Sequence, residues 1–110
     1  MNTEKIIKFI KDEDKRQRQY YPSDSIDKEV FARAVKLIEE VGEFFDYILK
    51  ISYLQRKQKD AKYKKRGLEG EFADIIITSL LLAKALNINV DKSIQNRILE
   101  IENRYKNNIQ

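Results

Sequence analysis

The apolar positions fall into four runs with helical spacing. In the first, covering roughly residues 3–19, Ile6, Ile7, Phe9 and Ile10 give a short apolar face ahead of a charged tail. The segment YYPSDSID interrupts it: Pro22 cannot continue a helix, and Ser25 or Asp27 can cap the next one. The second run extends from about Lys28 into the fifties. At 100° per residue Val30, Phe31, Ala34, Leu37, Ile38, Val41, Phe45, Ile48 and Leu49 form one broad stripe, with Glu40 at its edge beside Phe44 and Glu43 one step further out. The third is bracketed at its start by Gly67 and Gly70 and runs to about Leu86. It is apolar nearly all round, which predicts burial on several sides. After a short NIN link, Asn89 can cap a fourth helix from Val90 to about Lys106, with Ile94, Ile98 and Ile101 facing inward.

This pattern predicts an all-α protein, a four-helix bundle in a single domain of residues 1–110. Residues 1–27 form an N-terminal helix and loop, and residues 28–107 form the core. The third helix carries more apolar surface than three short neighbours cover, so the bundle is expected to be completed by oligomerisation, as a homodimer or homotetramer.

Composition narrows the chemistry. The chain has no Cys and no His, which excludes disulfides, thiolate metal sites, the usual zinc ligand and the usual general base. Any metal must be held by oxygen, favouring magnesium or manganese over zinc. The stretch from Ile75 to Leu86 is interrupted by Thr78, Ser79 and Lys84 and is too short to span a bilayer, and the charged N-terminus does not read as a leader, so the expected location is cytoplasmic. The net charge of +4 favours anionic ligands without specifying one.

Four acids carry the candidate chemistry. Glu40 and Glu43 lie three apart in IEEVGEFF, and Glu71 and Asp74 lie three apart in LEGEFADIII. Each pair projects two carboxylates from one helical face. Most acids at this spacing decorate solvated surfaces. Asp74 departs from that expectation, because its helical neighbours Glu71, Ile75, Ile77, Thr78 and Leu81 make no polar face to receive it. A buried carboxylate needs a cation or a set of donors. A divalent metal fits two such pairs, and an ion pair with Lys84 or Arg97 is the competing explanation.

The strings KLIEEVGEFFDYI and LEGEFADIIITSLLLAKALNINVDKSI resemble the MazG-like family of all-α nucleoside triphosphate pyrophosphohydrolases over about residues 30–105. The family motif E-E-x-x-E, a spacer and E-x-x-D stands here as Glu39, Glu40 and Glu43, then Glu71 and Asp74. The resemblance implies that Glu40, Glu43, Glu71 and Asp74 hold magnesium, with Glu39 supporting the site. It also implies cleavage of a nucleoside triphosphate between the α and β phosphates, giving monophosphate and pyrophosphate. Magnesium would neutralise the triphosphate while a carboxylate, Glu39 or Glu43, accepts a proton from the attacking water. On the last helix relatives carry Lys, Asn, a basic residue and Tyr. Here Arg97, Ile101, Arg104 and Tyr105 stand at those places, with Arg97 and Arg104 left as phosphate contacts and Ile101 unable to hydrogen-bond a ligand.

Two further features are candidates for substrate binding. The basic stretch RKQKDAKYKKRG precedes the helix bearing Glu71, so Lys65 or a neighbour can reach phosphates; the plainer reading is a solvated loop. Nucleic acid is disfavoured, because Tyr63 alone interleaves the charges. Tyr47 shares the Glu40 side of its helix and could face a base, whereas Phe45 reads as core. The rival to an enzyme is a non-catalytic helical oligomerisation or binding module whose acids are ion-paired.

Overall fold

The structure is a computed structural model that describes residues 2–54 and 61–109, with the backbone alone at residues 52–54, 61–66, 108 and 109. Four helices account for nearly all of them: α1 (Thr3–Tyr20), α2 (Ile26–Leu54), α3 (Ala61–Ala85) and α4 (Val90–Ile109). No strand occurs among the described residues.

The helix ends follow from side chains that satisfy orphaned backbone groups. Asn2 accepts from the Lys5 amide at 3.2 Å to start α1. At the start of α2 Ser25 is the cap, its Oγ accepting from the Lys28 amide at 3.2 Å, so the choice between Ser25 and Asp27 falls to Ser25. Asn89 caps α4 through the Lys92 amide at 3.0 Å, as its sequence position predicts. Between α3 and α4, Asn87 adopts a φ of 57°. There the Ile88 amide donates to the Ala83 carbonyl at 2.9 Å and the Asn87 amide to Lys84 at 3.1 Å, a Schellman closure.

One boundary differs from expectation. Helix α3 begins at Ala61, so Gly67 and Gly70 lie inside it instead of opening it, and residues 61–66 of the basic stretch are helical. A glycine inside a helix costs about 1 kcal/mol against alanine, which packing can outweigh. At Gly67 the packing reason is visible: a Cβ there would collide with the phenol of Tyr47. Residues 55–60 of the basic stretch lie outside the described residues.

Helices α2 and α3 run antiparallel and form the main interface. Tyr47 lies over Gly67, Phe44 meets Phe72 with ring centroids 6.1 Å apart, and Arg33 donates to the Leu81 carbonyl at 2.7 Å. Helix α1 is fastened to this pair by a buried ionic cluster. Arg33 reaches Asp14 of α1 at 2.7 Å and Glu29 at 3.0 Å, while Arg18 of α1 reaches Glu29 at 3.1 Å and Asp14 at 3.4 Å. Nothing in the apolar pattern pointed to Asp14. Arg33, however, stands among the inward positions of α2, and a charge there signals a buried partner.

Helix α4 stands apart. It bends by 110° from α3, and every residue from Asp91 to Asn107 is exposed. Within one chain only α1, α2 and α3 pack together, one helix fewer than the bundle expected, and Ile94, Ile98 and Ile101 face solvent instead of inward. The broad stripe of α2 also splits. Val30, Ala34, Leu37, Val41 and Ile48 turn inward, whereas Phe31, Ile38, Phe45 and Leu49 are exposed. Phe45 is 58% exposed and is not core. On α3, Leu81 and Ala85 are buried, but Phe72, Ile76 and Leu86 are not.

No single helix among the described residues is long and apolar enough to cross a membrane.

Candidate metal centre

The antiparallel register of α2 and α3 sets the site. Glu40 and Glu43 leave α2 one turn apart, and Glu71 leaves α3 opposite them. One carboxylate oxygen from each lies within 4.8 Å of the other two. Glu40 is buried at 7% exposure, Glu71 is half-buried and Glu43 is exposed, so the cluster opens to solvent on the Glu43 side. Phe44 and Phe72, each next in sequence to a cluster acid, form an aromatic pair beside it.

The cluster is electrostatically unfinished. Glu40 Oε1 lies 3.2 Å from Lys36 Nζ, but Glu40 Oε2 and Glu71 Oε2 are buried with no hydrogen-bond partner among the described residues. Buried oxygens of this kind are costly unless a donor or cation meets them. Burial first, then the negative charges of Glu43, Glu40 and Asp74, hold the Glu71 carboxyl above its ordinary value. The donor set is all carboxylate oxygen, which suits a hard divalent cation such as Mg2+ or Mn2+.

A stability consequence follows from Glu71. Because its folded-state pKa is raised, the folded chain binds a proton more tightly than the unfolded chain does. Stability from this group is therefore full below the ordinary value of 4.5 and is lost as pH rises through the raised one. In EDTA, the wild-type Tm is expected to fall over that interval, and Glu71→Gln is expected to remove that part of the fall. Parallel Tm–pH profiles for the two proteins would contradict it.

The other predicted site residues separate into groups. Asp74 lies one turn beyond Glu71 but is exposed and stands outside the 4.8 Å cluster. The burial expected from its apolar neighbours fails because Asp74 falls at the exposed edge of α3 with Gly70 and Ala73, although Ile75 and Ile77 are half-buried and Leu81 is buried. Among the described residues Asp74 has no ion pair, so neither Lys84 nor Arg97 neutralises it. Glu39 points outward, 3.8 Å from Lys36. Tyr47 is committed to the α2–α3 seam over Gly67. Arg97, Arg104 and Tyr105 are exposed on α4, with Arg97 bonded to Glu100 at 2.6 Å. The Lys65 side chain lies outside the described residues.

Lys36 was not singled out from the sequence. Its signal was the i,i+4 spacing to Glu40. It also lines a cleft of about 940 Å³ between α1, the 21–25 connection and α2, which Arg18, Tyr21, Lys28 and Thr78 border as well.

No family model, no curated protein and no solved structure matches the chain.

Proposed function

We propose that the chain is a magnesium-dependent nucleotide pyrophosphohydrolase that cleaves a nucleoside triphosphate between its α and β phosphates. The observation that carries the metal is the convergence of Glu40, Glu43 and Glu71 from two helices, with two buried carboxylate oxygens that have no partner among the described residues. The choice of bond rests on the resemblance of the Glu39–Glu43 and Glu71–Asp74 motifs to the MazG-like family. Magnesium, when bound, would offset the charge of the triphosphate. Glu43, the exposed member of the cluster, would take the proton of the attacking water as pyrophosphate leaves, with Glu39 as the alternative base.

The reading includes a homodimer or homotetramer. For a folded monomer of 13.1 kDa the expected surface is about 6,400 Å², whereas this chain exposes 9419 Å². Its radius of gyration is 17.9 Å, against about 13 Å for a compact domain of this length. The excess, about 3,000 Å² per chain, is at least as large as one partner's share of an obligate interface. Phe31, Val35, Ile38, Phe45 and Leu49 on α2, at spacings of four, three, seven and four, and Ile94, Ile98, Ile101 and Tyr105 on α4, at four, three and four, are open seams. In such an assembly Arg97 and Arg104 can approach the acids of a partner, which they do not do within one chain. Sedimentation is expected to show a dimer or tetramer, and Ile38→Glu with Ile98→Glu to shift it toward monomer. A monomeric wild type would contradict the assembly.

The second reading, a non-catalytic module with ion-paired acids, is favoured by the Lys36–Glu40 contact. That contact satisfies one oxygen of the cluster and leaves Glu40 Oε2 and Glu71 Oε2 unmet. Product analysis with magnesium and a panel of ribo- and deoxynucleoside triphosphates decides between them. Monophosphate plus pyrophosphate is the expected result. Absence of turnover by a folded oligomer would favour the module, and release of single phosphate would keep the metal and overturn the choice of bond.

A further inference from the structure

Lys36 stands on the border between the acid cluster and the cleft. Its Nζ lies 3.2 Å from Glu40 Oε1 and 3.8 Å from Glu39 Oε2, yet its side chain is 56% exposed and lines the cleft as well. The contact is one-sided: it engages Glu40 Oε1 and leaves the buried Oε2 without a partner among the described residues. An ammonium is a single charge on a flexible four-carbon stem, and it cannot reach every oxygen of a cluster drawn from two helices. A divalent cation can.

Both cations seek Glu40. A metal drawing on Glu40, Glu43 and Glu71 would repel the Lys36 ammonium and weaken the contact that now holds it. The i,i+4 link is of the modest kind, easily given up. Once released, the exposed stem can turn into the cleft it already borders.

We infer that Lys36 is an exchangeable counter-ion: it partly neutralises Glu40 while metal is absent, is displaced when the divalent cation binds, and then meets the phosphate oxygens of the incoming anion from the cleft side. The inference rests on the metal-site reading and adds a substrate-binding residue outside the acid motifs. It also gives an order to binding. Metal loading creates the free ammonium, so the triphosphate meets a second cation only after the first is in place.

The role predicts effects of opposite sign. Lys36→Met removes a competitor for Glu40 and a like charge beside the metal, so the affinity for Mg2+ alone is expected to rise about two- to fivefold. The same change removes a charge-assisted bond to phosphate, so affinity for a non-hydrolysable nucleoside triphosphate analogue in saturating Mg2+ is expected to fall at least about tenfold. Lys36→Arg is expected to recover much of the second loss. Titration calorimetry on the full chain, with Lys36→Gln as a second neutral variant and a melting curve for each, reads both quantities. Wild-type heats with Mg2+, together with neutral variants that lose affinity for both ligands or change neither, would overturn the role of Lys36 alone. No magnesium binding by wild type would overturn the metal site itself, and the inference with it.

Discussion

Glu40→Gln is expected to abolish the magnesium response and, at the same time, to make the metal-free protein more heat-stable. Both effects arise from one carboxylate. Glu40 is 7% exposed, keeps one oxygen without a partner and shares a 4.8 Å cluster with two other acids. Without metal, an amide at this position relieves like-charge repulsion and brings an N–H donor toward the unpartnered oxygen of Glu71. The gain is on the order of 1 kcal/mol, the usual net worth of a satisfied polar group, reduced by loss of the Lys36 pair. With the proposed metal bound the balance would reverse, because the most buried acid of the cluster has lost its charge. Turnover is expected to fall by more than about 100-fold, since removing even the supporting partners of metal ligands costs up to that much. Melting curves with and without Mg2+, paired with product analysis, check both halves. A variant destabilised in EDTA and still stabilised by Mg2+ would show that Glu40 serves only its ion pair.

Arg33→Met is expected to have the largest effect on stability. Arg33 and Asp14 have side chains only 8% and 7% exposed, and the guanidinium joins Asp14, Glu29 and the Leu81 carbonyl, bridging all three packed helices. Removing it leaves a buried aspartate without its principal partner, a loss of about 3–5 kcal/mol. Folded domains hold about 5–15 kcal/mol in total. For a chain of this size the Tm is expected to drop by more than about 10 °C. Adding Asp14→Leu should return much of the loss, because the isolated charge, more than the missing pair, carries the cost. Thermal denaturation of the single and double variants measures this. A double variant no more stable than Arg33→Met would place the cost in the lost Leu81 contact instead.

The elements were legible because their signals are local. Ser25 and Asn89 cap where an oxygen-bearing side chain precedes an apolar run, and Glu40, Glu43 and Glu71 converge because two helices of matching pattern run antiparallel. What escaped depends on long-range packing. Gly67 reads as a breaker until Tyr47 is seen to occupy the space of its missing side chain. The α2 stripe reads as one face, but spacing cannot tell a seam that meets α3 from one left open, and so Phe45 was misplaced. Asp74 is harder still: Ile75, Ile77 and Leu81 are packed, but spacing does not show that Asp74 itself falls at the exposed edge of the helix. Asp14 lies within a run of charges, where one buried member looks like the solvated rest.

The proposed metal centre requires that Glu40, Glu43 and Glu71 together hold a divalent cation. Paramagnetic resonance of Mn2+, whose free-ion signal disappears on binding, tests it without reference to any substrate. Wild type is expected to remove the signal saturably, to release it to excess Mg2+, and to lose this behaviour in Glu40→Gln. Weak, unsaturable loss of signal, the same in wild type and variant, would contradict the account.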